Sequence, residues 1–206
     1  MVATKKTDND FLGDKILLRA DNLPCAQNEH ELHVLDCFGG RGIVWAGVER
    51  KTGKKIRRTA IDKRDDLIDF HMHGDNVSVM RGLDLSVYDV IDLDAYGVPI
   101  DQLEAIFASG FKGRVFVTMI QTMTGAIPKK MLIDLGFPGE ITKKAPSLPA
   151  RKGWALMKEW LALKGVKKIT HRSKNRKHYF FFNVNDAVPC AEHSHTFQAN
   201  KVVNHA

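Results

Sequence analysis

The chain has 206 residues, 44% hydrophobic and 27% charged, with a formal net charge of +7 at neutral pH. That composition is globular, and the length fits one domain, 1–206, able to bury a sizeable core. No apolar run reaches the roughly 18 residues of a membrane span, and Met1 to Asp10 lacks the apolar stretch of a signal peptide, so the expectation is a cytoplasmic chain without membrane contact.

Met1 to Asp10 is polar and opens an N-terminal extension, 1–30, in which Phe11 to Ala20 reads as a helix packed at a sheet edge and Asn22 to Glu31 as a loop. The first strand, Leu32 to Leu35, runs into Asp36 and a turn holding Gly39, Gly40 and Gly42 before an apolar helix begins at Ile43. Strand, glycine turn and helix in that order let backbone N–H groups and a helix N-terminus approach a ligand such as a nucleotide or a nucleoside carboxylate. Cys37, inside this turn, reads as a small buried side chain rather than a nucleophile. Three cysteines with no C-x-x-C pair signal neither a disulfide framework nor a zinc ribbon, and reduced thiols are expected.

Lys55 to Ile61 reads as the second strand and ends at Asp62, where a carboxylate can accept both hydrogen bonds of a ribose diol or cap a helix. A helix over Lys63 to Met72 and a short third strand over Asn76 to Met80 follow, with Asp84 just beyond. Val87 to Leu93 reads as a buried fourth strand. Asp92 and Asp94 share one side of it by the two-residue period, and two buried acids together suit a site better than a core.

Ile100 to Ser109 is helical, Val115 to Ile120 is the fifth strand, and Gln121, Thr122 and Thr124 follow it as helix caps or polar site groups. Helices are expected over Lys129 to Leu135 and Arg151 to Leu163, with a loop over 137–149 between them. Strands Lys167 to His171 and His178 to Val184, joined by the basic turn Arg172 to Lys177, form a final hairpin, and the polar tail 191–206 has no assigned role. From Lys129 to Lys177 there are fourteen Lys or Arg against three acids, an asymmetry that favours an anionic partner, with nucleic acid ahead of a merely solvated surface. The histidine pairs His71 with His73 and His193 with His195 lack helical H-x-x-x-H spacing or a cysteine partner, so no metal is expected.

The glycine turn admits two readings. An NAD-dependent oxidoreductase shares the strand, the glycines and the acid about 20 residues on, but Trp45 stands where the dinucleotide fingerprint needs a small residue. The pattern D-x-F-x-G-x-G, filled by Asp36, Phe38, Gly40 and Gly42, resembles instead the first motif of class I S-adenosylmethionine-dependent methyltransferases. IDLDAYGVP, from Ile91 to Pro99, is most similar to the IDLDPFGSP segment of the tRNA guanine N2-methyltransferase family.

The resemblance implies an α/β, Rossmann-like sheet of seven strands, mostly parallel with an antiparallel C-terminal hairpin and helices on both faces. It implies S-adenosyl-L-methionine as cofactor, held by Asp36, Phe38, Gly40, Gly42, Asp62, Asp84 and Asp92, with Asp84 near the adenine as the acid after strand three. It further implies N-methylation of an exocyclic base amine, RNA favoured over DNA. Asp94 would orient and deprotonate the amine, Ala95 would supply a carbonyl, and Tyr96 would stack on the base. Ala95 replaces the family's proline, so a catalytically silent, nucleic-acid-binding relative is the alternative.

Overall fold

The computed structural model describes residues 11–24, 31–64, 71–120, 127–144 and 152–184. The first helix is α1 (Leu12–Ala20). Strand, helix and strand then follow as β1 (Leu32–Asp36), α2 (Ile43–Thr52) and β2 (Ile56–Asp62), then β3 (His71–His73), α3 (Asn76–Gly82), β4 (Val90–Asp94), α4 (Ile100–Ala108) and β5 (Arg114–Ile120). The last part holds α5 (Lys129–Asp134), α6 (Gly139–Lys144), α7 (Gly153–Leu163), β6 (Thr170–Lys174) and β7 (Lys177–Asn183).

The seven strands form one sheet in the order β3-β2-β1-β4-β5-β7-β6. β1 to β5 are mutually parallel, whereas β7 runs antiparallel to both β5 and β6. This is the expected architecture, and the reversed strand departs from the 3-2-1-4-5-6 order of dinucleotide-binding sheets. Each central strand is buried on both faces, as the continuous apolar runs require. Val34, Val90 and Phe116 pack on one face with α1 and α2 residues Leu18, Trp45 and Val48. Leu35, Ile91, Leu93 and Val117 pack on the other with residues of α3, α4, α5 and α7, among them Met80, Leu103, Met131 and Trp160.

Five expectations are corrected. α1 packs over Val90 and Phe116 in the middle of the sheet and not at its edge. Asn76 to Met80 is not a strand but the body of α3, because the Asp75 carboxylate accepts from the Ser78 N–H at 3.2 Å and caps a helix there. The third strand is His71–His73, so the helix foreseen over Lys63 to Met72 does not reach its end, and 65–70 lie outside the described residues. The loop foreseen over 137–149 contains α6. The final hairpin is tighter than foreseen: β6 runs on through Lys174 and β7 starts at Lys177, leaving Asn175 and Arg176 as a two-residue turn with φ of 48° and 63°. Gln121, Thr122, Thr124, Cys25, Cys190, His193, His195 and the tail 191–206 also lie outside the described residues.

The turn after β1 is shaped by contacts that leave no room for side chains. A Cβ on Gly39 would stand 2.5 Å from the Ala60 Cβ on β2, and one on Gly42, where φ is 67°, would stand 2.7 Å from the Arg58 guanidinium. The Gly39 N–H donates to the Ile61 carbonyl at 3.1 Å, pinning the turn to β2. Gly39→Ala is therefore expected to cost about 1–3 kcal/mol by overpacking, measured by denaturant unfolding, and the double variant Gly39→Ala with Ala60→Gly is expected to regain part of it; no recovery in the double variant would show that the strain lies elsewhere.

Candidate active site

The carboxyl ends of β1, β4 and β5 meet the start of the reversed β7 around an open-mouthed cavity of about 100 Å3. The turn after β1 supplies Asp36, Phe38, Gly40 and Gly42 to its wall, and the end of β4 supplies Asp92, Asp94, Ala95 and Tyr96. Thr118 and Ile120 of β5 and Lys177 and Tyr179 of β7 complete the sheet side, while Lys15 enters from α1. Eight of the ten residues read from the sequence as site residues thus share one cavity.

Asp62 adjoins that wall without lining it. Its Oδ2 accepts from the Gly40 N–H at 2.9 Å and its Oδ1 from the Arg64 N–H at 3.0 Å. Partial burial works against its charge, but these backbone donors and the Arg64 guanidinium hold the carboxyl below its ordinary range. Asp62 is therefore an ionised clamp on the glycine turn. Asp84 lies elsewhere. It precedes β4, at the opposite end of the sheet, accepts from the Ser86 N–H and hydroxyl at 2.9 and 2.6 Å, and borders a separate cleft with Arg81 and Glu104. Its assignment to the cofactor site is corrected, because the strand it was counted from is a helix. The acid that follows the true third strand is Asp75, with Asn76 beside it donating to the Cys37 carbonyl at 3.0 Å.

Three acids stand side by side on the strand ends, and each is balanced differently. Asp92, 1% exposed, receives Arg19 of α1 through Nε at 2.7 Å and Nη2 at 2.5 Å, and the Trp45 indole N–H at 2.7 Å. Three donors thus hold Asp92 in place where it lines the cavity. Asp94 is paired with Lys15 through Oδ2 at 2.7 Å. Burial opposes its charge, but Arg19, Lys15 and the neighbouring Thr118 hydroxyl hold the carboxyl below its ordinary range. Such a group is ionised and accepts hydrogen bonds.

Asp36 is the exception. Burial first, then the charges of Asp92 and Asp94, push its carboxyl up to about 7 against the pull of Arg58, whose Nη1 lies 3.2 Å from Oδ2. The adjacent Cys37 is buried, touches the Met80 sulfur at 3.5 Å, and has its thiol pushed well up by burial and then by Asp36 and Asp92, so it is no thiolate nucleophile. No group of three or more His, Cys, Asp or Glu able to hold a metal exists among the described residues.

Ala95 is buried at the end of β4, and its N–H is held by the Leu93 carbonyl at 2.9 Å. Tyr96 stands at the mouth of the cavity, 69% exposed. Reasoning from sequence missed Lys15, Arg19, Arg58 and Thr118. The available signal was charge balance: two acids two residues apart on a buried strand require cations, and Lys15 and Arg19, four apart, share one face of the preceding helix.

No family model matches the chain, and no curated protein matches it in sequence. Solved structures do. A Staphylococcus aureus protein assigned as a caffeoyl-CoA O-methyltransferase superposes with a TM-score of 0.50 at 14% identity over 87% of this chain and 85% of its own. A Corynebacterium glutamicum protein gives 0.50 at 13% identity over 91% and 84%. An O-methyltransferase family protein from Burkholderia thailandensis gives 0.49 at 15% identity over 85% of this chain, which spans 55% of that one. At these identities the likeness is one of fold: the chain has the Rossmann-like fold of class I methyltransferases.

Two measurements check the electrostatics. Arg19→Met strands the buried Asp92 charge and is expected to cost about 3–5 kcal/mol in urea unfolding, most of it restored by adding Asp92→Leu; equal loss in the double variant would refute the ion-pair account. Because the folded Asp36 carboxyl binds its proton more tightly than in the unfolded chain, its contribution to stability is full below about pH 4 and is lost as pH rises through about 7. Unfolding measured across this window is expected to show a decline that flattens in Asp36→Asn.

Proposed function

We propose that the chain is an S-adenosylmethionine-dependent methyltransferase that modifies an exocyclic amine of a nucleic-acid base, with RNA the preferred polymer. The observation that carries this reading is the convergence of Asp36, the glycine turn and Asp94 with Ala95 and Tyr96 on one cavity, in the chain order in which they resemble the family's motifs.

The residues suit such a cofactor. A turn that cannot accept side chains at Gly39 or Gly42 brings backbone close to a ligand, and the N-terminus of α2 at Gly42 carries no side-chain cap. Acidic walls suit a cation, and a cation beside Asp36 would ionise it. Asp62, already fixing Gly40, stands where a ribose diol is held on this architecture, and Asp75 takes over the adenine-side place first given to Asp84.

When bound, S-adenosylmethionine would supply a sulfonium methyl to a nitrogen lone pair attacking in line, its sulfur leaving as the neutral thioether of S-adenosylhomocysteine. Asp94, ionised at the end of β4, accepts an N–H from the target amine and so aims its lone pair into the cavity. The buried Ala95 fixes the backbone of that turn, and Tyr96 offers a ring at the mouth on which a base can stack. The methylated nitrogen is cationic until it sheds a proton, which the hydrogen-bonded Asp94 carboxylate takes and passes on to solvent. Holding donor and acceptor in this pose supplies most of the rate gain.

The basic hairpin supports a polyanionic substrate. Arg172, Lys174 and Lys177 lie on the α1 side of β6 and β7, Arg172 opposite Tyr179 and Lys174 opposite Lys177, and Lys177 reaches the cavity wall. Arg176 holds the left-handed conformation in the turn, where glycine is cheaper. These charges would guide a phosphate backbone past the mouth.

Purified protein incubated with methyl-labelled S-adenosylmethionine and either total RNA or DNA is expected to label RNA, and Asp94→Ala is expected to lower the rate at least about 100-fold by losing the aligned pose. Intact transfer by Asp94→Ala would refute the role of that residue. Tight binding of RNA with no transfer by any preparation would favour the catalytically silent reading, to which the alanine at 95 lends support.

A further inference from the structure

Resting on the function proposed above, we infer that Lys15 is a resident occupant of the amine subsite on Asp94, and that a substrate enters by displacing it. The Lys15 ammonium donates to Asp94 Oδ2 at 2.7 Å, inside the cavity and beside Ala95 and Thr118. It makes there the contact expected of a substrate amine. The cavity that remains, about 100 Å3, is well below the 300–1,000 Å3 usual for a small-molecule site.

The two cations of α1 differ in how firmly they are held. Arg19 is 1% exposed, grips Asp92 with two nitrogens, donates Nη1 to the Lys15 carbonyl at 3.1 Å and lies 5.7 Å from the centre of the Phe116 ring. It is an anchor. The Lys15 side chain makes a single hydrogen bond among the described residues, from the tip of a flexible four-carbon stem at the cavity edge. It can swing out while Arg19 keeps α1 in place, and Asp94 Oδ2 is then free to accept another donor.

Displacement makes Lys15 a specificity-determining residue. A neutral amine that replaces an ammonium on a carboxylate loses the ionic part of the bond, so it succeeds only when stacking and phosphate contacts are added. Small free amines lack those contacts and are rejected.

The test titrates the full-length chain, Lys15→Met and Lys15→Arg, each with S-adenosylhomocysteine present, with guanosine, adenosine and cytidine monophosphates, which carry an exocyclic amine, and with uridine monophosphate, which does not. Lys15→Met is expected to bind at least one amine-bearing nucleotide roughly tenfold tighter, the scale of one hydrogen bond to a charged group, with uridine monophosphate unchanged and Lys15→Arg restoring weak binding. Equal or weaker binding by Lys15→Met, or the same gain for uridine monophosphate, overturns the inference while leaving the proposed function standing. Binding of no nucleotide by any of the three chains overturns both. If Lys15→Met does not fold, acetylation of Lys15 in the unmutated chain by trace acetic anhydride decides: a rise on adding guanosine monophosphate supports displacement, and a fall or no change refutes it.

Discussion

A bidentate ion pair between Arg19 and Asp92, closed off by the Trp45 indole, joins the first helix, the second helix and the middle of the sheet at a single carboxylate. Removing two charges from water is costly, and their attraction recovers that cost only where every lone pair finds a donor. Asp92 comes close to that condition, since Arg19 and Trp45 place three donors on its two oxygens. The close approach of α1 to α2 that this requires is permitted at Gly47, where a Cβ would stand 2.3 Å from the end of Ile16. With α1 fixed in this way, the carboxyl ends of β1, β4 and β5 acquire a wall on the side where an open sheet would face solvent.

The same end of the sheet concentrates negative charge and distributes the means of balancing it. Asp36 and Asp92 are paired positions on adjacent strands, and Asp94 follows two residues on. Asp92 is matched by the buried Arg19 guanidinium, Asp94 by the Lys15 ammonium, and Asp36 by Arg58 from β2. The result is a cavity wall in which three acids are each answered by a cation from an element other than their own, α1 supplying two and β2 the third.

The sheet was legible wherever a strand was both apolar and followed by its own turn chemistry. β1, β4 and β5 announce themselves this way, and the residues at their ends converge as expected because parallel strands must deliver their carboxyl ends to one edge. The third strand was not legible. Three residues, His-Met-His, show no period, whereas Asn-Val-Ser-Val-Met alternates like a strand although the Asp75 cap makes it a helix. Asp84 was misplaced as a direct consequence. The partners of Asp92 and Asp94 were hidden for a different reason: they lie 73 and 79 residues away, and only a search for compensating charge, not a local pattern, would lead to α1.

The reversed seventh strand also has a bearing on how the molecule comes into being. Tyr179 and Lys177 line the cavity together with Lys15 of α1, so a helix made early waits for a strand made late. Until β4 has been synthesised, Arg19 has no carboxylate to enter, and until β7 inserts beside β5 the pocket has no floor on that side. A chain ending before residue 177 would hold most of the cavity's lining and lack only the side that Lys177 and Tyr179 supply, so the site is the part of the molecule completed last.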